Sequence, residues 1–421
     1  MSQDILSILV VAAVIVIMIS EKLSITVTAL IGALFCGFAG LIPISSIFQA
    51  MGTSTSMLLI GLGIIGAAFF QTGLGHKISV AILNRVGKSE RAVCFVVMLL
   101  GCMLTTVANM TSVVIMLIPL VKSLCRELNV SAGRVLYPLV AASGFGGALT
   151  LIGSVGNITG NTVLEAAGLP AMGFFDVAWV GIPLTVLGFL WMLTIGRKLL
   201  PANTGYHGEP GEELDTQEKS YDPKKMKITA VISAATIVVM MIQPSWMPLY
   251  AAALVGGIVL ILTGCISERE AWQAANMGTL LLIAGLMAIS SAVTQSGGGE
   301  LIASWVIKIL GGNTNPYFMT IVLGIVCTLL TSFLSNTAAV ALMGPVAISI
   351  ANSINVNPVA MVMVVVITCN ACFATPIGGV AFTLVVKPGN YRFLDFVRMG
   401  LPLTIINLVI AILVIPLVWK F

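Results

Sequence analysis

Charge is scarcer in this chain than a water-facing surface allows. Its 421 residues include only 20 Lys and Arg and 16 Asp and Glu, 9% in all, where a soluble domain carries roughly 25%. Apolar residues make up 58% and the mean hydropathy is +1.09. No soluble exterior can be assembled from so few charges, so the chain reads as an integral, multi-pass membrane protein. A disordered chain and a secreted disulfide scaffold are excluded by the same composition. The net charge of +4 gives no reason to expect a nucleic-acid partner. The cysteines (Cys36, Cys94, Cys102, Cys125, Cys265, Cys327, Cys369 and Cys372) all lie in or beside apolar runs and read as small buried hydrophobes. Cys369 and Cys372 form a CxxC without a second pair. His76 and His207 are the only histidines, so a histidine-built metal site is not expected.

Apolar runs long enough to span occur at about 5–20, 23–42, 54–74, 176–196, 228–248, 249–266, 277–296 and 397–419. The first has no basic flank and no clear cleavage site, and reads as a span instead of a signal peptide. Two further regions are apolar but interrupted by polar residues. Ala108-Asn109-Met110-Thr111-Ser112 breaks the stretch 91–126, and Ser335-Asn336-Thr337 breaks 316–352. The halves are too short to cross comfortably, so each region reads as a re-entrant hairpin with a polar tip. Gly153-Ser154-Val155-Gly156-Asn157 and Ala374-Thr375-Pro376-Ile377-Gly378-Gly379 read as the unwound middles of two discontinuous helices, 134–168 and 357–387.

The element order repeats. Gln71-Thr72-Gly73 opens the sequence amphipathic stretch (to Val86), hairpin, broken helix, last span. Gln295-Ser296-Gly297 opens it again, and Thr111 stands to Pro119 as Thr337 stands to Pro345. The predicted organisation is a first repeat over 1–200, a charged cytoplasmic linker over 201–227 and a second repeat over 228–421. Each repeat crosses an odd number of times, so the two are inverted, with about ten spanning helices in total. With the N-terminus outside, only Lys308 and Lys420 among the Lys and Arg fall outside, a strong positive-inside bias. Both termini are then outside. Short loops and the lack of large extramembrane domains suggest a prokaryotic inner membrane.

Inverted repeats with paired broken helices are the signature of a secondary transporter whose site lies near the midplane. Helix N-termini there offer unpaired N–H groups to an anion, and carbonyls at helix ends suit a cation such as sodium. Nearly all formal charge maps to the membrane edges. An anionic substrate would thus be held by amides, hydroxyls and helix ends. Glu165 reads as an interfacial residue.

Ser335-Asn336-Thr337 with Pro345 beyond it, Ala374-Thr375-Pro376-Ile377-Gly378, the stretch from Gly146 to Asn157 and Lys387-Pro388-Gly389-Asn390-Tyr391-Arg392-Phe393 resemble motifs of the divalent anion:sodium symporter family. The resemblance runs over nearly all the chain from about Met57. It implies an all-α elevator-type homodimer that carries a small anion with sodium and needs no other cofactor. By match to the family pattern, Asn109, Thr111, Ser335, Asn336, Thr337, Thr375 and Pro376 would meet substrate. Thr105, Asn109, Gly153, Asn157, Thr331, Asn336, Ala374 and Gly378 would line sodium sites. Two positions depart from the pattern. The first tip reads Asn109-Met110-Thr111, with methionine in the central place; a one-residue shift would restore the amide, or the first sodium site is altered or lost. Phe382 stands where the family often has asparagine.

The expected function is transport of a divalent anion, first of all a C4-dicarboxylate, with sulfate or a tricarboxylate chemically equivalent. Sodium-coupled uptake and sodium-independent exchange both fit. An antiporter should show a buried midplane carboxylate, and none is evident. Paired hairpins favour alternating access over a channel. No HExxH, GxSxG or nucleotide loop supports an enzyme or an ATP-driven pump. A transporter-like receptor stays open.

Overall fold

The computed structural model describes residues 2–20, 22–83, 89–200, 221–309 and 312–421, and the regular structure among them is entirely helical. Helices α1 (Gln3–Ile19) and α2 (Ile25–Phe38) lead through a 3-10 stretch (Ile44–Gly52) to α3 (Ser54–Gln71) and the short α4 (Leu74–Leu83). Then come the hairpin α5 (Glu90–Thr105) and α6 (Met110–Glu127), the broken helix α7 (Leu136–Gly147) and α8 (Val155–Ala166), and α9 (Ala178–Trp191). A π turn joins α9 to α10 (Arg197–Leu199). The order then returns: α11 (Pro223–Ile242), α12 (Leu249–Leu262), α13 (Glu268–Ala274), α14 (Met277–Gln295) and α15 (Gly298–Ile309). The second hairpin is α16 (Pro316–Thr331) and α17 (Asn336–Ser353), the second broken helix is α18 (Pro358–Cys369) and α19 (Val380–Val386), and α20 (Phe393–Val418) closes the chain.

Glycine placement shows why the boundaries repeat. Gly73 follows α3 with φ 78° and Gly297 follows α14 with φ 79°, a left-handed conformation open to glycine without steric cost. Gly40 (φ 73°) and Gly264 (φ 67°) end α2 and α12 in the same way, so these helices stop short of the apolar runs that contain them. Among the described residues, the stretches long and apolar enough to cross a bilayer are Ile44–Gln71, Ala178–Leu199, Pro223–Ile242, Glu268–Gln295 and Phe393–Val418.

Two boundaries differ from the sequence reading. Residues 201–220 of the linker lie outside the described residues, as does Val86. The linker's expected end at 227 is too late, because α11 starts at Pro223. The Asp222 carboxylate accepts from the Lys224 amide at 2.8 Å, and Pro223 occupies the first turn, where its missing N–H costs nothing. Charge in that first turn hides the helix from a hydropathy pattern. The breaks are also displaced. The first runs from Ala148 to Ser154, because the Ser154 side chain caps α8 and Val155, Gly156 and Asn157 are already helical. The second opens earlier than expected, at Asn370, and ends at Gly379.

Packing sorts the helices into two groups. In one, α3 crosses α12 and α14 crosses α2. A Cβ on Gly61 would collide with the Ala253 backbone, and one on Gly285 would stand 2.8 Å from the Ala29 carbonyl carbon. Backbones meet there because small residues let them, the usual source of helix association in lipid. In the other group, α5 packs on α7, and α17 packs on α18 and on α8 of the opposite repeat. Between the groups, Leu59, Leu280, Ile283 and Met287 face Ile158 and Val163 of α8. Glu165 adds a polar tie at the end of α8, accepting from the Ser54 hydroxyl and, at 2.9 Å, from Thr55.

The glycine crossings make a stability test. Gly61→Val should lower the detergent melting temperature, with a cost of about 1–3 kcal/mol or more from overpacking. Gly66→Ala, where a Cβ has no heavy atom within 4 Å, should leave it unchanged.

Candidate functional site

The hairpin tips and the helix breaks meet around one cavity of about 170 Å³. Asn109, Met110 and Thr111 line it from the first tip, and Ser335, Asn336 and Thr337 from the second. Gly153 to Gly156 come from the first break; Asn370, Cys372 and Gly378 to Phe382 come from the second. Helices α6, α8, α17 and α19 all begin here, and no lining residue carries a formal charge. The Asn336 and Thr337 amides have no acceptor among the described residues. The cavity offers partial positive charge from converging helix starts instead of a cationic side chain. It adjoins a space of about 520 Å³ against α3 and the start of α14, sharing Asn109, Thr111, Val155 and Val380 with it.

The two tips are built alike but not equipped alike. Ser335 caps α17, its side chain accepting from the Ala338 amide at 3.3 Å, and Asn336 is the first helical residue. Asn109 is the corresponding cap of α6, accepting from the Thr111 amide at 2.9 Å, and Met110 is the first helical residue. The tip is therefore not shifted by one residue. Asn109 replaces the serine cap, and a thioether replaces the amide of Asn336. Behind the second tip, the Thr331 hydroxyl lies 3.0 Å from Asn336 Oδ1 and 2.6 Å from the Cys369 carbonyl. The Thr331 carbonyl lies where a Cβ on Gly378 would stand. Hydroxyl, amide and carbonyl oxygens thus cluster in a form suited to a hard cation. Thr105, at the matching place in the first repeat, donates to Gly101 within α5 at 2.7 Å.

The broken backbone is satisfied differently in each repeat. In the first, Asn157 Nδ2 donates to the Gly147 and Thr150 carbonyls, both at 2.9 Å, and Thr150 donates to the Thr106 carbonyl at 2.8 Å. In the second, Phe382 holds the corresponding place and packs with Tyr137, Phe373 and Phe396. The missing amide is replaced from outside: Tyr137 donates to the Phe373 carbonyl at 2.8 Å and Thr404 to that of Ala371 at 3.4 Å. Tyr391, from the closing motif, accepts from the Tyr137 amide at 2.8 Å and donates to the Gly133 carbonyl. Tyr391 of that motif therefore holds Tyr137 in place.

Comparison with known proteins follows the same architecture. The family model described as citrate transporter matches residues 15–252 and 237–420. The chain belongs to the citrate transporter family. It is 30% identical to the uncharacterized transporter YfbS of Escherichia coli over 208 residues, 49% of this chain and 34% of that protein, so it spans about a third of that relative's length. It is 20% identical over 436 residues to the sodium-dependent dicarboxylate transporter SdcS of Staphylococcus saprophyticus, 94% of this chain and 82% of that one. The solved YdaH transporter of Alcanivorax borkumensis superposes with a TM-score of 0.62 at 16% identity, over 91% of this chain and 87% of that one. The chain thus has the multi-pass membrane architecture of this family, and the relatives it matches are described as transporters.

Within this citrate-transporter-family fold, Asn109, Thr111, Ser335, Asn336, Thr337, Gly153 and Gly378 come together at the cavity. Thr331 stands just behind it. Asn157 is buried, with its amide used within the breaks, and Thr105 is buried in α5. Thr375, Pro376 and Ala374 shape the second break without lining the cavity: Thr375 donates to the Ser332 carbonyl at 3.0 Å, and the Pro376 carbonyl accepts from Thr383 at 2.6 Å. Sequence reasoning missed Ser154 and Asn370. Asn370, an amide at the end of the apolar stretch that forms α18, was the available signal.

Tyr137→Phe strands the Phe373 carbonyl in the second break. It should cost about 1–3 kcal/mol, read as a lower melting temperature. Thr383→Ala, which removes an exposed hydroxyl and frees only the partly exposed Pro376 carbonyl, should cost clearly less.

Proposed function

We propose that this protein is a secondary active transporter of small divalent anions, C4-dicarboxylates first, coupled to sodium. The observation that carries the reading is the uncharged cavity where both hairpin tips and four helix starts converge. A dianion there meets N–H and hydroxyl donors without a fixed ion pair, so it can bind and leave. The similarity to SdcS supports the substrate class and the coupling ion. The oxygen cluster of Thr331, Asn336 and Cys369 would take the sodium, directly behind the tip that holds the anion, so each ligand favours the other electrostatically. Met110 leaves the first tip without a matching amide oxygen, which favours one sodium site over two.

The movement in this proposal is of elevator type. The group built on α5–α9 and α16–α20 shifts against α1–α3 and α11–α14, whose glycine crossings serve as a scaffold and dimer support. The two repeats lie inverted in a prokaryotic inner membrane, with both termini outside. The side-chain surface between the groups, Leu59, Leu280, Ile283 and Met287 against Ile158 and Val163, lacks the glycine interlocks found within each group and suits sliding.

Reconstituted protein should take up radiolabelled succinate under an inward sodium gradient, with a sodium Hill coefficient of about one for a single site. Asn336→Ala should reduce uptake about tenfold or more, because it removes both an anion donor and a cation ligand. Uptake that needs internal dicarboxylate and ignores sodium would make the protein an exchanger. Failure of succinate, malate, citrate and sulfate alike would sink the anion reading.

A further inference from the structure

The amide of Asn370 enters the cavity wall between the two breaks, and its orientation is forced by its neighbours. Asn157 Nδ2 faces two carbonyls, Gly147 and Thr150. Carbonyls only accept, so the nitrogen must point at them and Asn157 Oδ1 must point away. That oxygen accepts from Asn370 Nδ2 at 2.6 Å. Asn370 Oδ1 is then turned toward Ser154, whose hydroxyl donates to it at 2.8 Å. Ser154 also accepts from the Gly156 amide at 3.2 Å. A Cβ on Gly156 would strike Asn370 Oδ1, so the glycine keeps room for this amide.

The consequence concerns which group meets an anion. A serine has one hydrogen, and that of Ser154 is committed to Asn370. The hydroxyl therefore presents only lone pairs to the cavity, which repel an anion. Asn370 Nδ2 has two hydrogens and spends one on Asn157. Resting on the anion-transport reading above, we infer that Asn370 of the second break, and not Ser154 of the first, is the donor that this wall presents to the substrate, and that it contacts an oxygen of the bound anion. The relay from Gly147 through Asn157 to Asn370 fixes the polarity of that wall before any ligand arrives.

The test is a double-mutant cycle on the detergent-purified full chain. Affinity is read from thermal stabilisation by succinate, malate, citrate and sulfate, using whichever stabilises the native protein most. Asn370→Ala should weaken binding about tenfold, as expected for a hydrogen bond to a charged group. Ser154→Ala should change it about twofold or less in the native background. In the Asn370→Ala background the serine proton is released, so Ser154→Ala should there cost about tenfold more. A purely structural role for Asn370 predicts no such background dependence. Additive losses, or about tenfold loss from Ser154→Ala alone, overturn the inference while leaving the transport reading intact. If Asn370→Ala does not fold, the Ser154→Ala result decides: near-silence supports the inference and a large loss overturns it. A native protein that none of the four anions stabilises removes the anion reading and the inference together.

Discussion

A backbone that leaves the helix inside a membrane must find partners for its N–H and C=O groups within the protein. This chain does so at two hairpin tips and two helix breaks, and much of the polar sequence in its apolar regions serves that need. Ser335 and Asn109 cap the tips. Asn157, Thr150, Tyr137 and Thr404 satisfy the breaks, and Asn407 donates to the Ile367 carbonyl just ahead of the second one at 3.2 Å. The remaining unpaired amides at the helix starts face the cavity. Binding capacity is therefore what is left of the backbone's own hydrogen bonding after the fold has satisfied the rest.

That origin explains the chemistry of the site. A cavity made from helix ends and neutral side chains can attract an anion without holding it in a buried ion pair, whose partner would be costly to strand once the anion left. It also places a cluster of oxygens immediately behind the donors of the second tip. Two ligands of opposite charge can thus occupy neighbouring positions on one hairpin. No residue lining the cavity carries a formal charge, while away from it Glu90 pairs with Arg134 at 3.0 Å beside Arg197.

The general architecture was legible because it rests on local signals. Hydropathy marks the spans, polar triplets mark the tips, and Gln-Thr-Gly and Gln-Ser-Gly mark the repeated turn. The tip residues of the site followed from the same signals. The contacts that organise the breaks were not legible, because their partners are far apart in sequence. Asn370 and Asn157 are separated by 213 residues, and Tyr137 and Phe373 by 236. Nothing near Phe382 announces that a tyrosine of the other repeat takes over the work of its absent amide. The boundary errors have a related cause. Gly153, Gly156 and Gly378 suggest flexible loop by composition, yet each is a small residue at a close approach.

Counted from the break glycines Gly153 and Gly378, the repeats carry the same two residue types in opposite order: Phe145 and Asn157 in one, Asn370 and Phe382 in the other. The two amides bond to each other, Asn370 at the cavity wall and Asn157 behind it, while Phe382 packs on Phe373. The halves have therefore ceased to be interchangeable. A molecule assembled from two copies of the first half would hold two asparagines of the Asn157 type and none of the Asn370 type, and the bond between the breaks could not form. The chain is in that sense a heterodimer with itself, in which each half supplies a residue the other lacks.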